Sequence, residues 1–166
     1  FFCGPESFTP DLAPVVGEAP ELRNYFVCAG LNSIGILGGG GLGRVVANWV
    51  MTGQPDVDVT GFHIDRLQRY QSNPEYRRTR TVESLGLHYA MRWPREELVT
   101  VRPLRRSPLY DRLRGKGAVF GTKLNWERAN YFLPAAAPTP PYTLGTPDWL
   151  PFVLDEQRAC REDVVV

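Results

Sequence analysis

Sulfur and imidazole are scarce in this sequence, and surplus charge is nearly absent. Three cysteines, Cys3, Cys28 and Cys160, stand far apart along 166 residues. They make neither a disulfide framework nor a zinc ribbon, which points to a reducing compartment. As isolated small side chains they are expected to be buried rather than nucleophilic. The two histidines, His63 and His88, have no acidic or thiol neighbours at ligand or triad spacing, so neither a metal site nor a catalytic triad is expected. Lys plus Arg number 19 and Asp plus Glu 18, a net charge of +1. No strong field recruits nucleic acid or an anionic membrane surface. No apolar run approaches the ~18 residues of a membrane span. A phosphate-cradling Gly-x-x-x-x-Gly-Lys-Ser/Thr string is missing. So are internal repeats and any secretory or transit pattern.

What is present is ordinary globular composition, 43% hydrophobic and 22% charged, in a length that suits one domain or two small pieces. Glycine (16) and proline (15) are in excess, which predicts many turns and irregular connections. Phe1-Phe2-Cys3-Gly4 opens the chain on an apolar, strand-like run. Asp163-Val164-Val165-Val166 closes it as though another strand were starting. Both ends read as positions inside a longer protein.

Along the chain, Asn24 to Ala29 is a short apolar run suited to a buried strand. From Gly30 to Gly43, seven of fourteen residues are glycine. Leu42, Val45, Val46, Trp49 and Val50 then recur at helical spacing, with Gly53 as the stop and Pro55 beyond it. The unit is strand, glycine-rich turn, helix. The Val/Trp face of that helix, from Leu42 to Met51, is expected to lie against strands outside the chain. Asn73-Pro74 predicts a second helix start, running to about Tyr89. Its core face is expected at Tyr76, Val82, Leu85 and Tyr89, with the basic cluster Arg77, Arg78 and Arg80 solvated. Ser107-Pro108 repeats the pattern for a short helix ended by Gly115 or Gly117. Ala118 to Thr122 suits a strand. Ala135 to Pro141 reads as a proline-rich surface linker. A last helix is expected from Thr146-Pro147-Asp148 to about Arg161. Trp126 and Trp149 read as packing anchors.

The glycine-rich turn is the strongest chemical feature. Glycine permits left-handed backbone and close approach. A helix starting there presents unpaired N–H groups and the positive end of its dipole, which suits an anion or an electron-rich carbonyl. A tight strand-to-helix crossing that needs glycine only for packing fits the same residues. Gly38-x-Gly40-x-x-Gly43 matches the spacing of a dinucleotide fingerprint, but no acidic residue closes a second strand about 20 positions on. Thr9-Pro10-Asp11 places a hydroxyl and a carboxylate in one turn, where a turn role for both competes with a pocket role.

Several segments together resemble one family. Cys3-Gly4-Pro5-Glu6-Ser7-Phe8-Thr9-Pro10-Asp11, Gly17-Glu18-Ala19-Pro20-Glu21-Leu22 and Gly30-Leu31-Asn32-Ser33 with the four glycines are similar to the sarcosine and dimethylglycine dehydrogenase family. So are Arg106 to Leu113, Asn125-Trp126-Glu127-Arg128, and Pro147-Asp148-Trp149 through Glu162. That family includes the regulatory subunit of pyruvate dehydrogenase phosphatase. The resemblance implies a mixed α/β and α+β internal fragment. Residues 1–56 would close an FAD-binding oxidoreductase domain. Residues 57–115 would form the small central domain, and residues 116–166 a linker and the start of an aminomethyltransferase-like, folate-binding domain.

The resemblance further implies that Gly30, Leu31, Asn32, Ser33, Ile34, Gly35 and Ile36 contribute backbone contacts to FAD. The helix behind them would stabilise charge on the reduced flavin's pyrimidine edge. Thr9 and Asp11 would neighbour the substrate. A hydride would pass from an N-methyl carbon of sarcosine or dimethylglycine to FAD. The one-carbon unit would go to tetrahydrofolate, and the electrons to an electron-transfer flavoprotein. The family also implies a mitochondrial location. The nucleotide-binding strand and the flavin-linking histidine of some members have no counterpart among these residues, so no catalytic base and no covalent attachment site is assigned. The alternative within the family is a non-catalytic regulator that acts on the phosphatase catalytic subunit. The segment alone is expected to be inactive.

Overall fold

Val15–Glu18 (β1) and Phe26–Ala29 (β2) form an antiparallel hairpin in which Val15 faces Ala29 and Glu18 faces Phe26. The computed structural model describes residues 1, 3–134 and 137–163. The chain divides into two units, Phe1–Ala90 and Met91–Val166. Each mixes helix with a two-stranded sheet.

In the first unit the hairpin carries a long helix, Gly35–Thr52 (α1). Val45 and Trp49, one turn apart, are its buried residues, and they join Val59 with Phe26 packed alongside. Trp49 explains Gly17, which sits at φ +120 on β1. A Cβ there would come within 2.7 Å of the indole, so only glycine lets the helix settle this close. The face expected to need outside strands is thus partly covered by the chain's own hairpin. The segment from Val59 to His63 completes the floor, with Val16 N–H donating to the Phe62 carbonyl at 2.9 Å. Gly53 ends α1 in the left-handed region (φ 84), as its sequence position predicts.

The helix starts at Gly35, not at Leu42. Six of its eighteen residues are glycine, each costing about 1 kcal/mol against alanine in a helix interior. Helix propagation from the packed Val45–Trp49 half is cooperative and carries through them, until left-handed Asn32 and Ser33 (φ 49 and 66) stop it. The glycine-rich turn proper is therefore Gly30 to Ile34, and most of the glycines lie within the helix.

Pro74–His88 (α2) begins as its sequence predicts. The Asn73 side chain accepts from the backbone N–H groups of Glu75 and Tyr76. The buried face differs from expectation. It is Tyr76, Arg80 and Ser84, while Val82, Leu85 and Tyr89 are exposed. Arg80 is buried because its guanidinium lies over the Tyr76 ring at 5.8 Å and near Glu83. Ser84 is small enough for the helix to close on the Thr9-Pro10-Asp11 segment, and its hydroxyl donates to the Pro10 carbonyl at 3.1 Å.

The second unit contains Tyr110–Gly115 (α3), Ala118–Lys123 (β3), Trp126–Phe132 (β4) and Leu150–Glu162 (α4). β3 and β4 form an antiparallel hairpin with an irregularity between Val119 and Phe120. Its tight turn places Leu124 and Asn125 both in the left-handed region (φ 49 and 63), the backbone that suits the twist of a two-residue hairpin. Trp126 is a half-exposed platform for Arg105, whose guanidinium lies 4.3 Å from the ring centre. Ala135 and Ala136 of the expected linker, and Val164 to Val166 of the expected final strand, lie outside the described residues. The three cysteines are exposed rather than buried. Cys28 illustrates the cause, because it lies on the outer end of a two-stranded sheet that has only one covered face.

Candidate functional site

The turn between β2 and α1 is held by one buried amide. Asn32 is 1% exposed. Its Oδ1 accepts from Thr9 N–H at 2.8 Å and from Thr9 Oγ1 at 3.2 Å, and its Nδ2 donates to the Gly30 carbonyl at 2.7 Å. Thr9 is itself buried, and a Cβ on Gly30 (φ +65) would come within 2.7 Å of its methyl group. Asn32 and Ser33 are both left-handed without being glycine. Such residues cost about 1–3 kcal/mol each and persist only where their surroundings hold them. The Asn32 bonds are those surroundings. Ser33 Oγ accepts from the Tyr89 hydroxyl at 2.7 Å.

At the end of this turn, α1 starts without a conventional cap. Its N-cap is Ile34, which makes no side-chain cap bond, and the first turn contains no acidic residue. The first helical bond recorded runs from Gly38 N–H to the Ile34 carbonyl. Gly35, Ile36 and Leu37 therefore present N–H groups with no acceptor among the described residues. Natural helix starts usually satisfy such donors with Ser, Thr, Asp or Asn. Here the positive end of the dipole is left uncompensated. Ile36 and Leu37 are exposed, and apart from the adjoining residues and the helix's own backbone no atom of the described residues lies within 4 Å of a Cβ built on Gly38, Gly39, Gly40, Gly41 or Gly43. The surface combines free amide donors, apolar side chains and bare backbone. That donor set fits an electron-rich heterocycle carrying carbonyl oxygens, such as the pyrimidine edge of a flavin.

Of the residues singled out in the sequence, Gly30 to Ile36 and Thr9 are brought together. Asp11 is committed elsewhere. Its carboxylate takes Arg66 in a bidentate pair at 2.7 and 3.0 Å and accepts from Ala13 N–H in an Asx turn. Arg66 is nearly enclosed and also donates to the carbonyls of Phe62, His63 and Ala13. Nothing local marks Arg66, because its partner lies 55 positions away. His63 Nδ1 accepts from Asp65 N–H at 3.0 Å, and among the described residues no cluster of potential metal ligands exists.

The second unit contains a cavity of about 750 Å³ beside Trp149. Tyr131 stacks on Trp149 at 5.3 Å, and Arg95 lies 4.9 Å from the same ring centre. Pro140, Pro141 and Tyr142, from the expected linker and just after it, line this space. Much of its charge is satisfied internally. Arg102 pairs with Glu127 at 2.6 Å, Glu97 accepts from Thr122, and Glu96 accepts from Arg92. The Glu127 carboxylate holds the Arg102 guanidinium charged even more firmly than usual.

Burial raises the pKa of the Tyr131 phenol, and neighbouring Tyr142 adds to the rise. Unfolded tyrosine ionises near pH ~10, so the folded unit binds the proton longer. Stability is then intact below that pH and falls as pH rises through the folded value. Phenolate absorbance should show one late-titrating tyrosine, and Tyr131→Phe should remove both that step and the matching part of the alkaline loss.

Comparison with known proteins shows what the chain is similar to. The FAD dependent oxidoreductase central domain matches residues 52–107. A 4-methylaminobutanoate oxidase (formaldehyde-forming) of Paenarthrobacter nicotinovorans is 44% identical over 167 residues, covering 100% of this chain and 20% of that protein. Human mitochondrial sarcosine dehydrogenase is 43% identical over 133 residues, 80% of this chain and 14% of its own length. The chain is similar to sarcosine and dimethylglycine dehydrogenases over about four fifths of its length. A mouse relative, the mitochondrial pyruvate dehydrogenase phosphatase regulatory subunit, is 40% identical over 166 residues, 98% of this chain and 19% of its own. The chain spans a fifth or less of the length of these relatives.

Proposed function

We propose that this chain is the flavin-facing turn and central region of an FAD-dependent amine dehydrogenase that demethylates a small N-methylated amino acid. The observation that carries the reading is the uncapped start of α1, with free amides on Gly35, Ile36 and Leu37. FAD bound there would supply a hydride acceptor for the N-methyl carbon. The chain's own contribution is fixed positive potential. Backbone donors at a helix start favour negative charge, and because they are already oriented they do so without reorganisation. Gly30 to Ile36 would contribute backbone to this surface. Thr9 supports it from behind, and Asp11 keeps Arg66 in place rather than touching substrate.

Residues 1–56 form the closing part of the flavin domain in this reading, 57–115 the central domain, and 116–166 the linker and start of an aminomethyltransferase-like domain. Transfer of the one-carbon unit to tetrahydrofolate and of electrons to an electron-transfer flavoprotein follow from the same assignment. No residue of this chain is assigned to either step. A mitochondrial location accords with the names of two of the relatives above.

Substrate choice is read directly from the intact protein that contains this segment. Under anaerobic conditions, sarcosine, dimethylglycine or 4-methylaminobutanoate should bleach its flavin absorbance. The 40% identity to a regulatory subunit over 98% of the chain supports a second reading, a non-catalytic regulator acting on the phosphatase catalytic subunit. Full flavin content with no bleaching by any of these amines would select that reading. The chain alone should show no amine oxidation.

A further inference from the structure

We infer that Asn32 is the positioning residue of the flavin-facing turn, acting through its side-chain amide and not only through its tolerance of left-handed backbone. The inference rests on the flavin reading above and deepens it. Three observations support it. Asn32 is almost completely enclosed, yet its side chain makes three hydrogen bonds, two from Thr9 and one to Gly30. These bonds tie the turn to a segment 23 positions earlier in the chain. That segment is itself held to α2, through Ser84 donating to Pro10.

The second observation is that Asn32 and Ser33 are consecutive left-handed residues directly ahead of Ile34, the cap of α1. Their conformation sets the direction in which the free N–H groups of Gly35, Ile36 and Leu37 point. The third is that Ile34 makes no side-chain cap bond, and the other side-chain tie on the turn, from the Tyr89 hydroxyl to Ser33, is exposed, so the buried bonds are those of Asn32. The amide of Asn32 therefore reaches the flavin site only through the backbone it orients.

The structure separates the two possible uses of Asn32. If its role is conformational tolerance, Asn32→Gly should behave as wild type, since glycine adopts positive φ freely. If the amide clamp orients the turn, Asn32→Gly should fail, and Asn32→Asp, which keeps the acceptor for Thr9, should recover part of the loss. Thr9→Val removes only the hydroxyl contact and should act in the same direction with smaller size.

The test uses the intact, flavin-loaded protein. Three measurements are made: the visible flavin spectrum, the flavin midpoint potential, and hydrogen exchange of the amides of residues 35–37 with and without flavin. We expect flavin to slow exchange at these amides in the wild type. In Asn32→Gly we expect that protection to be lost, the potential to move negative, and amine-driven reduction to slow by roughly tenfold to a hundredfold. Wild-type protection and potential in Asn32→Gly, with a normally protected parent, would overturn the positioning role and leave the flavin reading intact. Equal exchange with and without flavin in the wild type would overturn both. Should Asn32→Gly not fold, Asn32→Asp decides the matter, because it loses the donor to Gly30, and wild-type protection of residues 35–37 there would overturn the clamp.

Discussion

Trp49→Ala is expected to cost about 3–5 kcal/mol, the usual range for emptying a buried large aromatic site. The indole fills the space between Gly17, Phe26 and the His63 ring, with Val45 and Val59 in the same buried cluster. Total stability of a small domain is about 5–15 kcal/mol, so most of the first unit's reserve would go. The site cannot collapse to compensate. Gly17 has no side chain to move in, and the hairpin is only two strands wide. Near-ultraviolet circular dichroism and amide exchange across β1, β2 and α1 should show their structure lost together. Trp49→Phe should retain most of it. An alanine variant with native exchange protection in β1 would show that the hairpin stands without the helix.

Glu127→Ala should be nearly as damaging in the second unit. The Glu127 side chain is only 2% exposed and accepts from Arg102 at 2.6 and 3.0 Å. Arg102 also donates to the carbonyls of Phe120 and Leu98. Removing the carboxylate leaves a mostly buried guanidinium hydrogen-bonded only to carbonyls, with Glu97 as the remaining nearby negative charge. Breaking one half of a buried ion pair costs about 3–5 kcal/mol. The effect should be strongly non-additive, with the double variant Arg102→Leu, Glu127→Leu more stable than Glu127→Ala, because it leaves no stranded charge. Urea titration of the three proteins, followed at β3 and β4 by amide exchange, separates these outcomes. A double variant no better than the single one would mean that the pair does not govern this hairpin.

Elements with a local signature were legible from the chain. Asn73-Pro74 starts a helix because an amide side chain caps and a proline needs no donor. Gly53 ends one because it can turn left-handed. Ala118 to Thr122 forms a strand, and the last helix runs close to its expected limits. β4 escaped notice because its alternation is disguised. Its inward positions are Glu127 and Tyr131, and a carboxylate on the buried face makes the strand look polar until Arg102 is in view. The same disguise hides the buried face of α2, where Arg80 and Ser84 take places that pattern alone gives to Val82 and Leu85.

The residues of the proposed flavin-facing surface were visible as a glycine-rich string and as family motifs, but the way the chain builds that surface was not. A string of glycines argues for turn, since each weakens a helix. The helix nevertheless runs through them, because it is anchored at Val45 and Trp49 and extends until Ser33 and Asn32 stop it. Asn32 meeting Thr9, Asp11 meeting Arg66 and Ser84 meeting Pro10 join positions 23, 55 and 74 apart. Caps, stops and short apolar runs depend on neighbours within a turn or two, so residue order alone specifies them. A buried hydrogen bond or ion pair depends on where two distant segments come to rest, and no period or spacing along the chain encodes that. It is set only when burial of Trp49 on the hairpin, and of α2 on the Pro10 segment, brings the partners within bonding distance.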